Sequence, residues 1–444
     1  MAVNIPFQLV KVSLALLATI KRKEFIDACK NPAHAQARLK EKLGPLPDRP
    51  TTYQNYENLR TPDVLFYETT SGSTGIKKKI PYTKTLLKSF ENMFLLWAHD
   101  LVFYSALGLK SGKFFMSVSP QIGETVKDDR QYLSPMVNLL LNPFLASNPN
   151  EHKARTSEEF LMKISQDLLK AKDLEIISIW SPTYFLSVLD FMETHGLVTN
   201  PDWEEIWPEL KLISCWTSSQ AELSAKALQK KFPHVKIQGK GLLLTEAPIT
   251  VPWTEAHGDL PLLMETYLEF LDDKGKIHPL HEIKRNHKYI VLTSTTNGFL
   301  RYNTLDEVEV TGFYFQTPVL KFLGRTGGHS DLAGEKLSDS ILRELFPFPL
   351  LLVPNQEEAL PYYEAYTEES HEIEKGLREN YHYNLARELN QLREVKIIKV
   401  PNLRQKYLEF YQSLGMQLGD IKERMLINDS VQAQKFREWI AKGR

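Results

Sequence analysis

The sequence predicts an α/β protein: a large N-terminal domain of mixed sheets covered by helices with a β-barrel-like part, then a small mobile α+β C-terminal domain. Three observations predict it. Strand-like and helix-like segments alternate from about residue 155, a strand-and-turn pattern fills Leu263 to Gly324, and the composition changes after Leu337. The domain boundaries read from these shifts are 1–336 and 337–444.

The alternating part begins at Thr156 and Glu159, a capping box ahead of the helical run FLMKISQDLLKAK. EIISIW (175–180) is too short for a helix and rich in β-branched residues, so it reads as a strand. Ser181 and Pro182 read as N-cap and first residue of a helix ending near Gly196. The strand ELKLISCW, a helix from Ala221 to Lys231 and the strand HVKIQG form a second unit. Strand, helix, strand at this spacing gives a mostly parallel sheet under helices. YIVLTSTTNGFLRYN and DEVEVTGFYF instead read as antiparallel or barrel-like. Residues 338–444 hold a strand (LPYYEAYTE), a long helix around 371–392, the strand EVKIIKV and C-terminal helices. The polar, glycine-rich stretch Gly324 to Lys336 joins them as a hinge.

Composition excludes several classes. With 54 basic and 55 acidic residues, no global charge draws the chain to nucleic acid or a membrane. Cys29 and Cys215 are the only cysteines, so no disulfide framework exists and a reducing, cytoplasmic compartment is expected. Pro6 to Ile20 is apolar but too short to span a bilayer, and Lys21, Arg22 and Lys23 follow it rather than precede it. It reads as an amphipathic helix packed on the body, with a peripheral membrane role as the alternative and no stable membrane insertion. Among twelve histidines, His278, His281 and His287 do not make HExxH, and they read as surface residues. Cys215 in LISCW reads as a packed small hydrophobe.

The most informative stretch is YETTSGSTGIKKKIPYT, Tyr67 to Thr83. Gly72 and Gly75 sit among Thr70, Ser71, Ser73 and Thr74, with three lysines at once behind. Glycine lets backbone N–H groups crowd an anion, hydroxyls donate, and lysine neutralises charge. That is a polyphosphate loop by composition, though not the Walker form, and such a run also serves as a flexible surface loop. Glu246, at the end of GLLLTE, is an oxygen ligand suited to Mg²⁺ beside phosphates. Asp306, in RYNTLDEVEV, suits the hydroxyls of a ribose, and Arg325 a charge-assisted contact nearby. Seen alone, these three also read as a surface acid, a turn aspartate and a salt-bridge arginine. Lys336 in GEKL and Lys422 in GDIKERM flank the C-terminal part, and spacing alone does not single them out among the lysines.

The loop resembles the TSG[ST]TG-x-x-K signature of adenylate-forming enzymes. The order SGSTG, TE, RYxxxD, GR, K is more closely similar to the GH3 family of acyl acid amido synthetases. The similarity runs through ISIWSPTYFLSVLD, QGKGLLLTE, DEVEVTGF, PVLKFLGR, ARELNQL and LGDIK, over essentially the whole chain. The resemblance implies ATP and Mg²⁺ as cofactors, a carboxylic acid as substrate, and an amino acid or other amine as acceptor. It implies that Ser71, Ser73, Thr74 and Gly75 hold the ATP phosphates, with Lys78 at the signature lysine. Glu246 then binds Mg²⁺, Thr245 lies near adenine, and Asp306 takes the ribose, followed by Arg325. Lys336 contacts phosphate, and the mobile domain delivers Lys422. The sequence departs from the family pattern in lacking an aromatic residue beside Glu246, and in placing Thr304 and Leu305 where a Gly-type residue is usual. Trp97, Trp180 and Trp253 are candidates for an apolar acid pocket. The rival readings are a ligase forming an acyl-CoA thioester, and a non-catalytic protein that binds a nucleotide or acyl group on the same fold.

Overall fold

A computed structural model describes residues 7–56, 61, 63–70, 78–116, 118–119, 127–128, 138, 141–147, 157–218, 221–325, 329–330, 332–333, 335, 337–355, 361–369, 372–388 and 392–442. Four short strands, Phe114–Met116, Ile176–Ser178, Leu212–Cys215 and Lys236–Gly239, pair in parallel in that order. The two central strands are wholly buried, as parallel strands covered on both faces must be. The helices Ser157–Lys170, Pro182–Thr194 and Glu222–Lys231 intervene along the chain. Ser181 caps the second of them by accepting from the Tyr184 N–H, with Pro182 just inside, as the sequence predicts. Ser157 opens the first helix, and Thr156 of the expected capping box lies outside the described residues.

One carboxylate pins the N-terminal edge of this sheet. Glu175, almost fully buried, accepts from the backbone N–H groups of Lys110, Ser111 and Gly112 and from Lys211 Nζ at 2.9 Å. Burial pushes its carboxyl up, but Lys211 and these N–H donors outweigh burial and hold it below its ordinary value of 4.5. A carboxylate depressed in the folded state adds stability above its unfolded value, and that stability is lost as pH falls through the folded one. Glu175→Gln places an amide donor against N–H donors, at a cost of about 2 kcal/mol at neutral pH. The expected result in urea melts is a gap between wild type and variant that closes below pH 4.5; a gap independent of pH refutes the assignment.

The segment 250–325 forms a seven-stranded antiparallel sheet. Its longest hairpin, Tyr302–Tyr314 with Thr317–Arg325, places Asp306 directly across from Arg325. An apolar cluster including Phe25, Phe90, Trp253, Phe270 and Val310 packs this sheet against the helices Phe7–Lys30 and Lys84–Phe103. The N-terminal helix is therefore docked on the body. Its Arg22 is buried, pairs with Asp100 at 3.0 Å and Glu255 at 2.6 Å, and lies over the rings of Tyr104 and Trp253. Among the described residues no helix is long and apolar enough to cross a membrane.

In the C-terminal part, Leu350–Asn355 pairs antiparallel with Tyr362–Thr367, and Lys396–Lys399 joins the latter in parallel. The long helix expected near 371–392 is instead two short ones, Ile373–Arg378 and Tyr381–Glu388. Asn380 breaks it: its side chain accepts from the Tyr383 N–H, capping a new helix. His329–Ser330 pairs with Leu337–Ser338 where the two parts join. One apolar cluster runs from Phe115, Ile213 and Phe185 of the parallel-sheet unit into Leu351, Tyr366 and Phe410 of the C-terminal part.

Of the histidines set aside as surface residues, His281 and His287 are exposed, but His278 is half-buried against Asp272 at 2.9 Å, with a β-turn carboxylate for a partner. No cluster of three or more metal-holding side chains occurs among the described residues. Cys215 is fully buried and its thiol is pushed up to about 12 by burial, which makes it a poor nucleophile.

Candidate active site

The strand Val64–Thr70 turns back as Lys78–Thr83, with Thr70 opposite Lys78. Ser71, Gly72, Ser73, Thr74 and Gly75 connect these strands and lie outside the described residues, as does Lys336. Of Thr70 and Arg325 only the backbone, at the end of a strand, is described.

Lys78 begins the return strand and meets one other candidate, Glu246, together with Tyr302. Its ammonium donates to Tyr302 Oη at 2.7 Å and stands 3.6 Å from Glu246 Oε1. It also faces the rings of Tyr53 and Tyr302 at 5.7 and 5.4 Å. Glu246 is 6% exposed and sits in a turn closed by reciprocal backbone hydrogen bonds between Leu244 and Ala247. Tyr82, four residues after Lys78, donates to the Thr245 carbonyl at 3.0 Å and fixes that turn to the strand. The stacked rings of Phe66, Tyr82 and Phe90 hold the strand in turn.

Asp306 lies on the same strand as Tyr302 and is buried. Its N–H donates to Thr304 Oγ1, which donates onward to the Val291 carbonyl. Leu305 adopts φ +62°, a left-handed backbone that glycine takes without strain and leucine does not. The Leu305 N–H is held by Asn303 Oδ1.

Lys422 reaches this region from the C-terminal part. Its ammonium lies 5.1 Å from the Trp216 ring, which lies 6.0 Å from Trp180. Asp420, two residues earlier, is pushed up by burial and then by the nearby Glu68, while Lys422 pulls it down. The loop Leu418–Lys422 thus stands beside the strand that leads into residues 71–75.

Trp97 and Trp180 share a pocket with Phe94 and Leu243, and Ser214 and Lys240 supply its polar atoms. Trp253 is elsewhere, buried 5.0 Å from the Phe25 ring and under Arg22, because its strand faces the N-terminal helix. Sequence reasoning missed Lys240; its signal was a lysine between two glycines at the carboxyl end of a parallel strand, where open α/β sheets bind ligands.

Residues 260–325 match the model of the GH3 family central domain. No curated protein sequence matches the chain. Among solved structures, "AtGH3.15 acyl acid amido synthetase in complex with 2,4-DB" is similar over 97% of this chain and 96% of its own, with a TM-score of 0.72 at 16% identity. A second, "GH3.15 acyl acid amido synthetase", gives 0.73 at 16% identity, over 93% of this chain and 95% of its own. A 2-hydroxyisobutyryl-CoA ligase in the postadenylation state gives 0.57 at 10% identity, over 89% and 83%. The chain thus matches the GH3 family central domain over residues 260–325 and has, over nearly its whole length, a fold similar to that of the solved GH3 acyl acid amido synthetases.

Proposed function

We propose that this chain is an ATP-dependent, AMP-forming acyl acid amido synthetase. The observation that carries the reading is the meeting of Lys78 with Glu246 and with Tyr302, whose strand also holds Asp306. A cation beside a buried carboxylate, with a ribose-suited aspartate on the strand of Tyr302, suits a nucleotide.

In the first half-reaction a carboxylate oxygen of the acid attacks the α-phosphorus of ATP; the bond to the bridging oxygen breaks and pyrophosphate leaves with its electron pair. Glu246 fits Mg²⁺, which takes one or two carboxylates and fills its shell with water and phosphate oxygens. Glu246 would hold the ion, and its positive charge would offset that of the triphosphate. Lys78, and the loop residues Ser71, Ser73, Thr74 and Gly75, balance the same charge, and Asp306 accepts from the ribose hydroxyls. Such catalysis is positioning and electrostatics. In the second half-reaction an amine attacks the acyl carbon, AMP leaves, and the amine loses a proton. Trp97 and Trp180 flank the acyl group. Lys336 and Lys422 serve the adenylation step, and residues 337–444 turn about the join Gly324 to Lys336 between the two steps.

Glu423, next to Lys422, holds the docked arrangement. It accepts from Thr183 Oγ1 at 3.0 Å and from Ser224 Oγ, both across the interface, and Arg404 donates to the Thr183 carbonyl. Losing a carboxylate that holds two hydroxyls shifts the docking balance by about 1.5 kcal/mol. Glu423→Ala is therefore expected to slow acid-dependent pyrophosphate–ATP exchange by roughly tenfold. An unchanged rate removes Glu423 from docking.

The reading itself is tested by the same exchange over a library of carboxylic acids. Exchange with one or more acids, followed by amide products with amino acids and no thioester with coenzyme A, is the expected result. Measurable ATP binding without exchange for any acid overturns it.

A further inference from the structure

We infer that the C-terminal part binds a single halide ion, chloride in ordinary solution, between the guanidinium groups of Arg343 and Arg404. The inference stands on the geometry of one small cavity and needs neither ATP nor the adenylating function.

The cavity has a volume of about 20 Å³, room for one water-sized occupant. Arg343, on the helix Asp339–Leu345, and Arg404, on the helix Leu403–Ser413, both line it, as does Arg424. The Arg343 side chain is 7% exposed. Each of the first two guanidiniums already uses its Nη2. Arg343 donates to the Glu423 carbonyl at 3.1 Å, and Arg404 to the Thr183 carbonyl at 3.2 Å. The Nε atoms of Arg343 and Arg404 are buried, and neither has a hydrogen-bond partner among the described residues. The neighbouring acids do not fill them. Asp339 Oδ1 stands 3.9 Å from Arg343 Nη2 and accepts from the Met425 N–H. Glu423 Oε2 stands 3.9 Å from Arg404 Nε and accepts from the Thr183 and Ser224 hydroxyls. A separation of 3.9 Å is not a hydrogen bond. Asp190 is a further acid near Arg404. Burial, the largest influence, holds the Arg343 guanidinium below its ordinary value, although Asp339, Glu423 and Glu222 pull it back up.

Two buried N–H donors on one cavity call for an acceptor, because leaving them empty forfeits their hydration. A water accepts from both but brings two O–H donors of its own. The wall gives those little to bond, since Leu350, Leu351 and Leu403 make much of it and Tyr407 donates to the Lys422 carbonyl. A halide only accepts, and guanidinium donors give it charge-assisted bonds away from bulk water. The volume admits one atom of that size and excludes phosphate, sulfate and carboxylates. The place gives the ion a use. It bonds two helices at the point where Arg343 also holds the Glu423 carbonyl, and so steadies the segment that carries Lys422 and Glu423.

Bromide tests the site directly. Crystals of the whole chain, grown without halide and soaked in sodium bromide, are expected to show an anomalous peak in contact with both Nε atoms. A water alone in the cavity, or no density there, overturns the inference. In solution, sodium chloride is compared with sodium isethionate, whose anion is too large for the cavity, at constant ionic strength. Chloride is expected to raise the urea midpoint of wild type by about 0.3 M, as a ligand bound only by the folded state does. Arg404→Lys keeps the charge but loses the Nε donor and the planar fork. It is expected to bind chloride about tenfold more weakly by ³⁵Cl line broadening, and to lose the midpoint shift. Arg343→Lys takes its place should that variant misfold. The same chloride shift in wild type and in a folded variant marks a general salt effect and overturns the inference.

Discussion

Glu246→Gln is expected to abolish acid-dependent pyrophosphate–ATP exchange, with a loss of at least roughly 100-fold, in a protein that still folds. The substitution keeps the side chain's shape and removes its charge. Two things change at once. A neutral amide is a poor ligand for a hard cation, so Mg²⁺ is no longer held beside the triphosphate. The 3.6 Å partner of Lys78 also becomes neutral, which leaves that ammonium bonded to Tyr302 Oη and facing two aromatic rings. The fold tolerates this because the turn carrying Glu246 is closed by its own backbone bonds and tied down by Tyr82, none of which uses the carboxylate. Thermal melting and exchange, measured together, decide it. Exchange within a few-fold of wild type at saturating Mg²⁺ removes Glu246 from the site. A Glu246→Asp variant refines the result: the charge is kept but set back by one methylene, so activity recovers partly and requires more Mg²⁺.

The sequence announces this site through short-range chemistry and hides what depends on long-range pairing. Ser181 and Pro182 are the local signal of an N-cap and first helical residue, so that boundary was legible. The β-branched runs around Ile177 and Ile213 were legible as strands for the same local reason. The break at Asn380 was not, because one capping side chain overrides a pattern that otherwise continues as helix. Lys78, Glu246 and Asp306 could be proposed one by one from composition and resemblance, but the meeting of Lys78 with Glu246 and Tyr302 belongs to the fold. Tyr302 drew no notice because a tyrosine in a strand is ordinary until Lys78 is seen against it. The pair Ser178 and Ser214 becomes a feature only through strand register, which places residues 36 positions apart side by side. Trp253 shows the opposite error. Nearness in sequence to Glu246 suggested the pocket, yet the strand Thr250–Trp253 presents that ring to Phe25 and Arg22.

Arg301, next to Tyr302, carries the largest expected loss of stability. Its guanidinium forks onto Glu269, Nε to Oε2 and Nη2 to Oε1, both at 2.8 Å, with side-chain exposures of 15% and 8%. Its Nη1 donates to the Pro47 carbonyl, its N–H to Ser294 Oγ, and its carbonyl accepts from Thr51. One residue thus ties the segment 47–51 to the central sheet behind Lys78. Arg301→Ala leaves Glu269 buried without its partner, and breaking a buried pair from one side costs about 3 to 5 kcal/mol. Arg301→Lys keeps the charge but not the fork, and is expected to lose about half as much. The backbone adds an independent check. Arg301 sits at φ +46°, in the left-handed region that glycine occupies without strain. Arg301→Gly should therefore be more stable than Arg301→Ala by about 1 kcal/mol, although both delete the same side chain. Replacing the pair with Met at 301 and Leu at 269 should recover most of the loss, since two matched apolar groups carry no desolvation cost. Urea midpoints for these variants, measured on one preparation each, test the whole ranking. If Arg301→Ala falls within about 1 kcal/mol of wild type, the fork contributes no more than an exposed pair would, and residues 47–51 are anchored by the backbone and hydroxyl bonds of Thr51 instead.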